Sequence, residues 1–276
     1  MTGTFRSDVW DPKAEAVRLW NTDPCGATDA FSAGTPAFFD AVEAMRYRDY
    51  APWLLSTLQP HRYMGKAVLE IGCGLGTDLV QFARAGARVA AVDLTPRHLE
   101  LTRRRLLNEG RTAMLLRSDA ERLPIADGTI DLVYSFGVLH HTPGIRTAVQ
   151  EICRVLKPDG AAHVALYHKQ SLFFMAWMAR AIVTGALWRK GYRSVMADIE
   201  QHPGSAAQPL VTVHTRGSAR RLFSQFRRVT IETHHAAYAA PVTHVARVLQ
   251  LDDRSLRTLE RLLRRAGWYL VIRAEK

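Results

Sequence analysis

Between residues 66 and 168, short apolar runs alternate with amphipathic stretches, and this is the strongest pattern in the chain. The runs Ala67–Ile71, Arg88–Asp93, Thr112–Arg117, Ile130–Ser135 and Ala161–Tyr167 have the length and apolar density of buried strands. The intervening stretches read as helices. The first covers Leu75–Ala85, with Gly86 as its stop; the second runs from the cap Thr95-Pro96 to Gly110; the third covers Ile145–Leu156, before the turn Lys157-Pro-Asp-Gly160. Five strands alternating with helices specify a parallel sheet with right-handed crossovers. Further on, Ser218–Phe226 reads as a helix, Val229–Thr233 as a strand, Asp253–Ala266 as a basic amphipathic helix and Trp268–Arg273 as a last strand. The expected architecture is α/β, a doubly wound, mostly parallel seven-stranded sheet with helices on both faces.

The flanks follow other patterns. Residues 1–65 are helical and turn-rich. Thr35-Pro36 starts a helix that runs through Phe38, Phe39, Val42 and Met45 to Tyr50, downstream of the turn-rich Trp20–Gly26. This segment is expected to act as a lid on a ligand-binding domain spanning 66–276. Within that domain, residues 169–215 read as a helical cap insertion after strand five. The stretch 171–188 holds two apolar runs split by Arg180. A spanning helix needs about 20 mostly apolar residues, and a mid-span Arg costs about 2.5–3.5 kcal/mol. No transmembrane span is therefore expected; peripheral contact with lipid stays open.

Composition changes this picture little. The net charge is +11, carried by 31 Arg and only 6 Lys scattered along the chain, and the densest runs lie on Leu-rich helices. That distribution suits solvated helix faces better than a phosphate-binding surface, so no nucleic-acid partner is expected. Three cysteines, Cys25, Cys73 and Cys153, and an opening without a leader pattern point to a reduced, cytoplasmic protein. No Cys or His pair has zinc-site spacing, so no metal is expected.

The chemistry is concentrated where strands end. Val68–Asp78 carries Gly72-x-Gly74-x-Gly76 between a strand and a helix. Glycines there permit a sharp turn and close approach of a ligand, and the helix start offers free N–H groups. The spacing is not the G-x-G-x-x-G of dinucleotide folds, no Gly-Lys-Ser/Thr follows, and Glu70 would repel a pyrophosphate. The ligand is thus expected to carry an amine or positive charge. Asp93 ends strand two, where a carboxylate can accept both ribose hydroxyls. Ser118-Asp119-Ala120 ends strand three, and Ser135–Gly144 follows strand four.

Together with Val155–Gly160, these motifs resemble the successive motifs of class I S-adenosylmethionine (SAM) dependent methyltransferases. The subgroup includes ubiquinone and menaquinone biosynthesis enzymes and many natural-product enzymes. The resemblance covers residues 66–168 and implies a Rossmann-like fold, with SAM as cofactor and S-adenosylhomocysteine as product. It implies that Glu70, Gly72 and Gly74 shape the site of the methionine part, that Asp93 holds the ribose and Leu94 packs on adenine, that Asp119 and Ala120 contact the adenine edge, and that Ser135 and Phe136 touch the methionine end. Cys73 lies within the glycine turn as a small buried residue. Arg46 and Tyr47 are candidates to close over the cofactor.

Methyl transfer from a sulfonium is an in-line displacement, so the protein mainly supplies alignment. A hydroxyl or ammonium acceptor also needs a base. His140 is the preferred candidate, with His141 and Tyr167 beside it. A small, apolar or aromatic acceptor is expected, with O-, N- and C-methylation all open. The rival readings are a SAM-binding protein that does not methylate and a nucleic-acid or protein methyltransferase. A homodimer is left open.

Overall fold

The computed structural model describes residues 10–200, 205–236 and 248–276. Residues 1–9 of the expected lid and 201–204 of the expected cap lie outside the described residues. The seven strands are β1 (Ala67–Ile71), β2 (Arg88–Asp93), β3 (Met114–Arg117), β4 (Ile130–Phe136), β5 (Leu156–Tyr167), β6 (Arg228–His234) and β7 (Tyr269–Glu275). They form one sheet in the order β3-β2-β1-β4-β5-β7-β6. Strands β1 to β5 pair in parallel, and β7 runs antiparallel between β5 and β6. The order reverses between β1 and β4, so the crevice of the doubly wound sheet opens above the C-terminal ends of these strands.

Period-two alternation assigns the faces. Leu69 and Ile71 of β1 pack with Ala148, Val149 and Ile152 of α6 (Ile145–Val155) and with Ala219 of α9 (Arg216–Leu222). Val68 points the other way, into Leu79, Val80 and Phe82 of α4 (Thr77–Arg84) and Leu54 and Leu58 of α3 (Leu54–Leu58). Glu70 shares the face of Val68, which brings a carboxylate beside the start of α4. Helix α5 (Pro96–Asn108) gives Leu101 to a smaller cluster with Phe38, Phe39 and Val42 of α2 (Pro36–Ala44). The N-terminal α1 (Pro12–Thr22) is capped by Asp11, whose side chain accepts from the amides of Lys13 and Ala14.

Three elements depart from expectation for local reasons. The helix from Pro36 is α-helical only to Ala44; Met45–Tyr50 is a π-helical turn. Such turns re-aim side chains, and this one carries Arg46, Tyr47 and Tyr50. Strand β5 starts at Leu156, opposite Ile130, and the register then jumps to Leu132 opposite Ala161. The segment Lys157–Gly160 is therefore a bulge within a strand, with Asp159 at φ 64°. The helix expected at Ser218–Phe226 instead begins at Arg216, because Thr215 and Ser218 form a reciprocal capping box.

After β5 comes a helical hairpin, α7 (Leu172–Val183) and α8 (Ala186–Ala197), joined through Gly185 at φ 71° and kinked at Gly191. The following segment returns across the strand ends. His214 accepts from Lys169 N and donates its amide to Tyr167 O, and Thr212 N donates to His140 O. The C-terminal helix α10 (Asp253–Leu262) precedes a short 3-10 turn at Arg264–Ala266.

Candidate active site

A cleft of about 750 Å³ opens over the C-terminal ends of β1, β2, β4 and β5. Of the residues singled out from sequence, Glu70, Gly72, Cys73, Gly74, Asp93, Leu94, Asp119, Ala120, Phe136, Arg46, His141 and Tyr167 line it. Tyr47, Ser135 and His140 lie behind its wall.

The glycine turn forms one end. A Cβ on Gly72 would sit 2.2 Å from a methyl of Val138, so this glycine lets the turn press against the loop after β4. At Gly74, φ is 53° and a Cβ would meet nothing within 4 Å, so the backbone there borders open space. Thr102 of α5 pins the turn by donating to Gly74 O at 3.0 Å.

Asp93 is buried at the adjoining wall. Its Oδ1 accepts from Thr95 N at 2.8 Å, and its Oδ2 from Gly74 N at 3.3 Å and the His98 ring at 3.1 Å. Burial pushes its pKa up, but the His98 contact and the two amides outweigh it and hold the carboxyl below its ordinary value. Asp119 is anchored differently: Lys13 of α1 donates to its Oδ2 at 2.6 Å and also reaches Glu121 at 2.8 Å.

Two neighbouring carboxylates, Glu70 and Asp78, differ in state. Asp78 accepts from Arg46 Nε at 2.8 Å, from the Tyr47 hydroxyl at 2.7 Å and from the Tyr134 hydroxyl at 2.7 Å. Burial raises its pKa, but the Arg46 charge and these bonds overcome it, and Asp78 stays ionised. Glu70 is 3% exposed, and its Oε2 has no partner among the described residues. Burial first, then the Asp78 charge, push its carboxyl well above the ordinary value, more than Arg46 can offset. Arg46 also lies 4.6 Å over the Phe136 ring. Ser135 donates to Ile71 O at 3.0 Å and so ties β4 to β1 behind the wall.

The other end is aromatic. Tyr50, Phe173, Trp268, Tyr269, His235 and Trp20 line it, with Glu200 as its carboxylate. The Tyr50 and Tyr269 hydroxyls share a hydrogen bond of 2.5 Å. Tyr167 donates to Glu200 Oε1 at 2.6 Å and stacks on Trp268 at 4.2 Å. The His141 ring is bonded through Nδ1 to Leu210 O at 2.7 Å. A carbonyl only accepts, so the proton is on Nδ1 and Nε2 is left with its lone pair. Burial lowers the His141 pKa, with Glu200 and the Leu210 bond partly opposing. His140 has no exposed surface, stacks on Tyr167 at 3.6 Å, and neither of its ring nitrogens has a hydrogen-bond partner among the described residues. Burial, then His141 and His214, hold it well below 6.5.

His140, His141 and Glu200 bring ligand atoms within 4.8 Å of one another. Two donors about 2.1 Å from one zinc ion can be at most about 4.2 Å apart. Any pair of these atoms beyond that limit would have to close up before the cluster could chelate.

Sequence reasoning missed Lys13, Asp78, His98, Glu200, Tyr50 and Trp268. Asp78 sits inside the glycine motif and could have been found as the acid in the first turn of α4. Glu200 stands in a segment with no motif, and only the return of the chain after α8 brings it to Tyr167.

Residues 69–164 match the family described as "Methyltransferase domain". The chain is 38% identical over 97 residues to demethylmenaquinone methyltransferase of Clavibacter sepedonicus, 35% of this chain and 39% of that protein. It is 34% identical over 105 residues to methyltransferase GfsG of Streptomyces halstedii, 37% of each chain. It is 32% identical over 94 residues to sterol 4-C-methyltransferase strm-1 of Caenorhabditis elegans, 33% of this chain and 28% of that one. The chain thus spans well under half the length of these curated relatives. Among solved structures, a SAM-dependent methyltransferase from Mesorhizobium loti matches with TM-score 0.53 and 17% identity, over 86% of this chain and all of that one. The [4+2]-cyclase SpnF matches with TM-score 0.55 and 15% identity, over 96% and 91%. These two likenesses show the fold. By the family match, residues 69–164 carry a methyltransferase domain. The relatives it resembles include enzymes named for menaquinone and sterol methylation. The cofactor of the class is SAM. The residues present fit it, with an unpartnered buried carboxylate oxygen, an open glycine backbone and a strand-two carboxylate along one wall. Among the described residues no helix is long and apolar enough to cross a membrane.

Proposed function

We propose that this protein transfers a methyl group from SAM to a small apolar or aromatic acceptor. The carrying observation is that one cleft joins a carboxylate-and-glycine end, suited to an ammonium and a ribose, to an aromatic end. When bound, SAM supplies an activated methyl on a sulfonium. Glu70 Oε2 accepts a hydrogen bond from the ammonium, and that bond stabilises the ionised carboxylate. Asp93, ionised and fixed by His98 and Thr95, accepts from the ribose. Gly72 and Gly74 admit the methionine part, with Cys73 as filler between them. Leu94 and Ala120 flank the adenine, and Asp119, held by Lys13, accepts from its amino group. Arg46 and Phe136 close the methionine end, with Tyr47 and Ser135 bracing them from behind.

At the aromatic end, Tyr50, Tyr167, Trp268 and Tyr269 exclude water and orient the acceptor. His141 Nε2 receives the proton of a hydroxyl or ammonium acceptor. His140, which the sequence alone favours for that role, instead supports Tyr167 by stacking. Residues 10–65 serve as a lid and the described part of 169–215 as a cap, since both contribute cleft walls. The three free cysteines suit a reducing compartment, the cytoplasm. The test is incubation with SAM and a panel of quinol, phenol, sterol and amine acceptors, followed by mass spectrometry. The expected result is S-adenosylhomocysteine in step with a methylated acceptor. Conversion of an acceptor without S-adenosylhomocysteine would instead mark a SAM-binding enzyme that does not methylate.

A further inference from the structure

The outer face of the α7–α8 hairpin is apolar where a surface helix is ordinarily polar. Met175 is 50% exposed, Ile182 46%, Val183 86%, Trp188 71% and Tyr192 52%. Along α7 the exposed apolar positions are Met175, Ala176, Ala179, Ile182 and Val183, one helical stripe at i, i+4 and i+7. The opposite side of α7 is already used, with Phe174 and Ala181 buried and Phe173 on the cleft wall. From Ser171 to Ala197 there are four cations, Arg180, Arg189, Lys190 and Arg193, and no acidic residue. All four are exposed. Lys190 reaches Asp198 at 2.9 Å, Arg180 lies 5.9 Å over Trp177 and Arg193 lies 4.2 Å over Trp10, contacts that leave their charge near the surface.

We infer that this hairpin docks the protein on an anionic phospholipid surface, with Val183, Ile182 and Trp188 entering the headgroup boundary and the four cations pairing with lipid phosphates. Large aliphatic side chains with an indole and a phenol, flanked by Arg and Lys, are the composition of a helix lying in a membrane interface. The hairpin is too short to span, which leaves docking rather than insertion. A second copy of the chain fits the face less well. A two-fold interface would set the four cations against the same four, with no acid within the hairpin to pair them. Phe173 lines the cleft from the inner side of α7, so this helix stands between the docked face and the aromatic end of the cleft. The inference concerns binding and stands whatever the cleft methylates.

The test is co-sedimentation of the full chain with vesicles of phosphatidylcholine, with and without phosphatidylglycerol, at low and high salt. The chain is expected to sediment with the phosphatidylglycerol vesicles, to be released by high salt, and to ignore pure phosphatidylcholine. Val183→Asp and Trp188→Ala should abolish sedimentation with an unchanged melting temperature, because both side chains are exposed. Arg189→Ala should lower the partition coefficient roughly fivefold. Leu107→Asp, at an exposed apolar site on α5, is the control and should bind as the native chain does. Failure to bind phosphatidylglycerol vesicles, or full binding by Val183→Asp, overturns the inference. So does a native dimer that Val183→Asp converts to monomer without any vesicle binding.

Discussion

Glu70 and Asp78 show how one site drives two buried carboxyls to opposite states. Asp78 takes the available donors, Arg46, Tyr47 and Tyr134, while Glu70 Oε2 has none among the described residues. The folded protein therefore binds a proton at Glu70 more tightly than the unfolded chain, and this group's contribution to stability falls as pH rises from about 4.3 towards the raised folded value. Glu70→Gln should raise the melting temperature of the cofactor-free protein near pH 8 while weakening SAM binding. Calorimetry and titration on the same variant check both signs, and tighter SAM binding by Glu70→Gln would contradict the role. His141 and His140 can be separated in the same way. His141→Ala should lower turnover of a hydroxyl acceptor by about 10²–10⁴-fold with SAM affinity nearly kept. His140→Phe should mainly change stability. The native rate should rise with pH through a value below 6.5, since burial depresses the His141 pKa. A profile flat through the acid range would remove His141 as the base.

Among the elements, the π-turn Met45–Tyr50 connects packing to function most directly. It brings Arg46 and Tyr47 onto Asp78 at the start of α4 and Tyr50 onto Tyr269. Breaking the buried pair with Arg46→Ala should cost about 3 kcal/mol, because ionised Asp78 would lose its cation; urea denaturation checks this, and a loss under 1 kcal/mol would mean that the tyrosine hydroxyls carry Asp78 alone. The strands were legible in sequence because their apolar runs and glycine stops are local signals, and β1, β2 and β4 fall within one residue of expectation. The π-turn was not, since its residues read as ordinary helix and the turn is set by contacts with α4. That the glycine turn and the strand-end carboxylates share one cleft wall was likewise legible, because these residues sit at strand ends within motifs. The aromatic wall was not: Glu200, Tyr50 and Trp268 come from segments far apart in sequence, and no spacing links them. The preference for His140 over His141 could not be decided locally either, because the carbonyl of Leu210 orients the ring that lines the cleft.

At the scale of the whole molecule, the chain buries several neutral imidazoles. Burial lowers His140, His141, His163 (to about 4) and His235 (to about 3) from 6.5. The unfolded chain takes up protons at these sites that the folded one refuses, so stability should fall as pH drops from 6.5 towards 4. Thermal melts across that range should show it, against the opposite and smaller trend from the single Glu70. The N-terminal segment and the segment after α8 meet where the Trp10 indole donates to Gln208 O at 3.0 Å and Arg18 donates to Ala206 O at 2.9 Å. Hydrogen exchange should slow in both segments when cofactor binds. The proposed methyl transfer depends on the cleft holding SAM in the stated orientation, and calorimetric titration of S-adenosylhomocysteine into the native chain and Asp93→Ala tests that most directly. The native chain should bind one equivalent, and Asp93→Ala should lose about 1.5–3 kcal/mol, the scale of hydrogen bonds to a charged group. No binding by the native chain, or equal affinity in the two, would contradict the account.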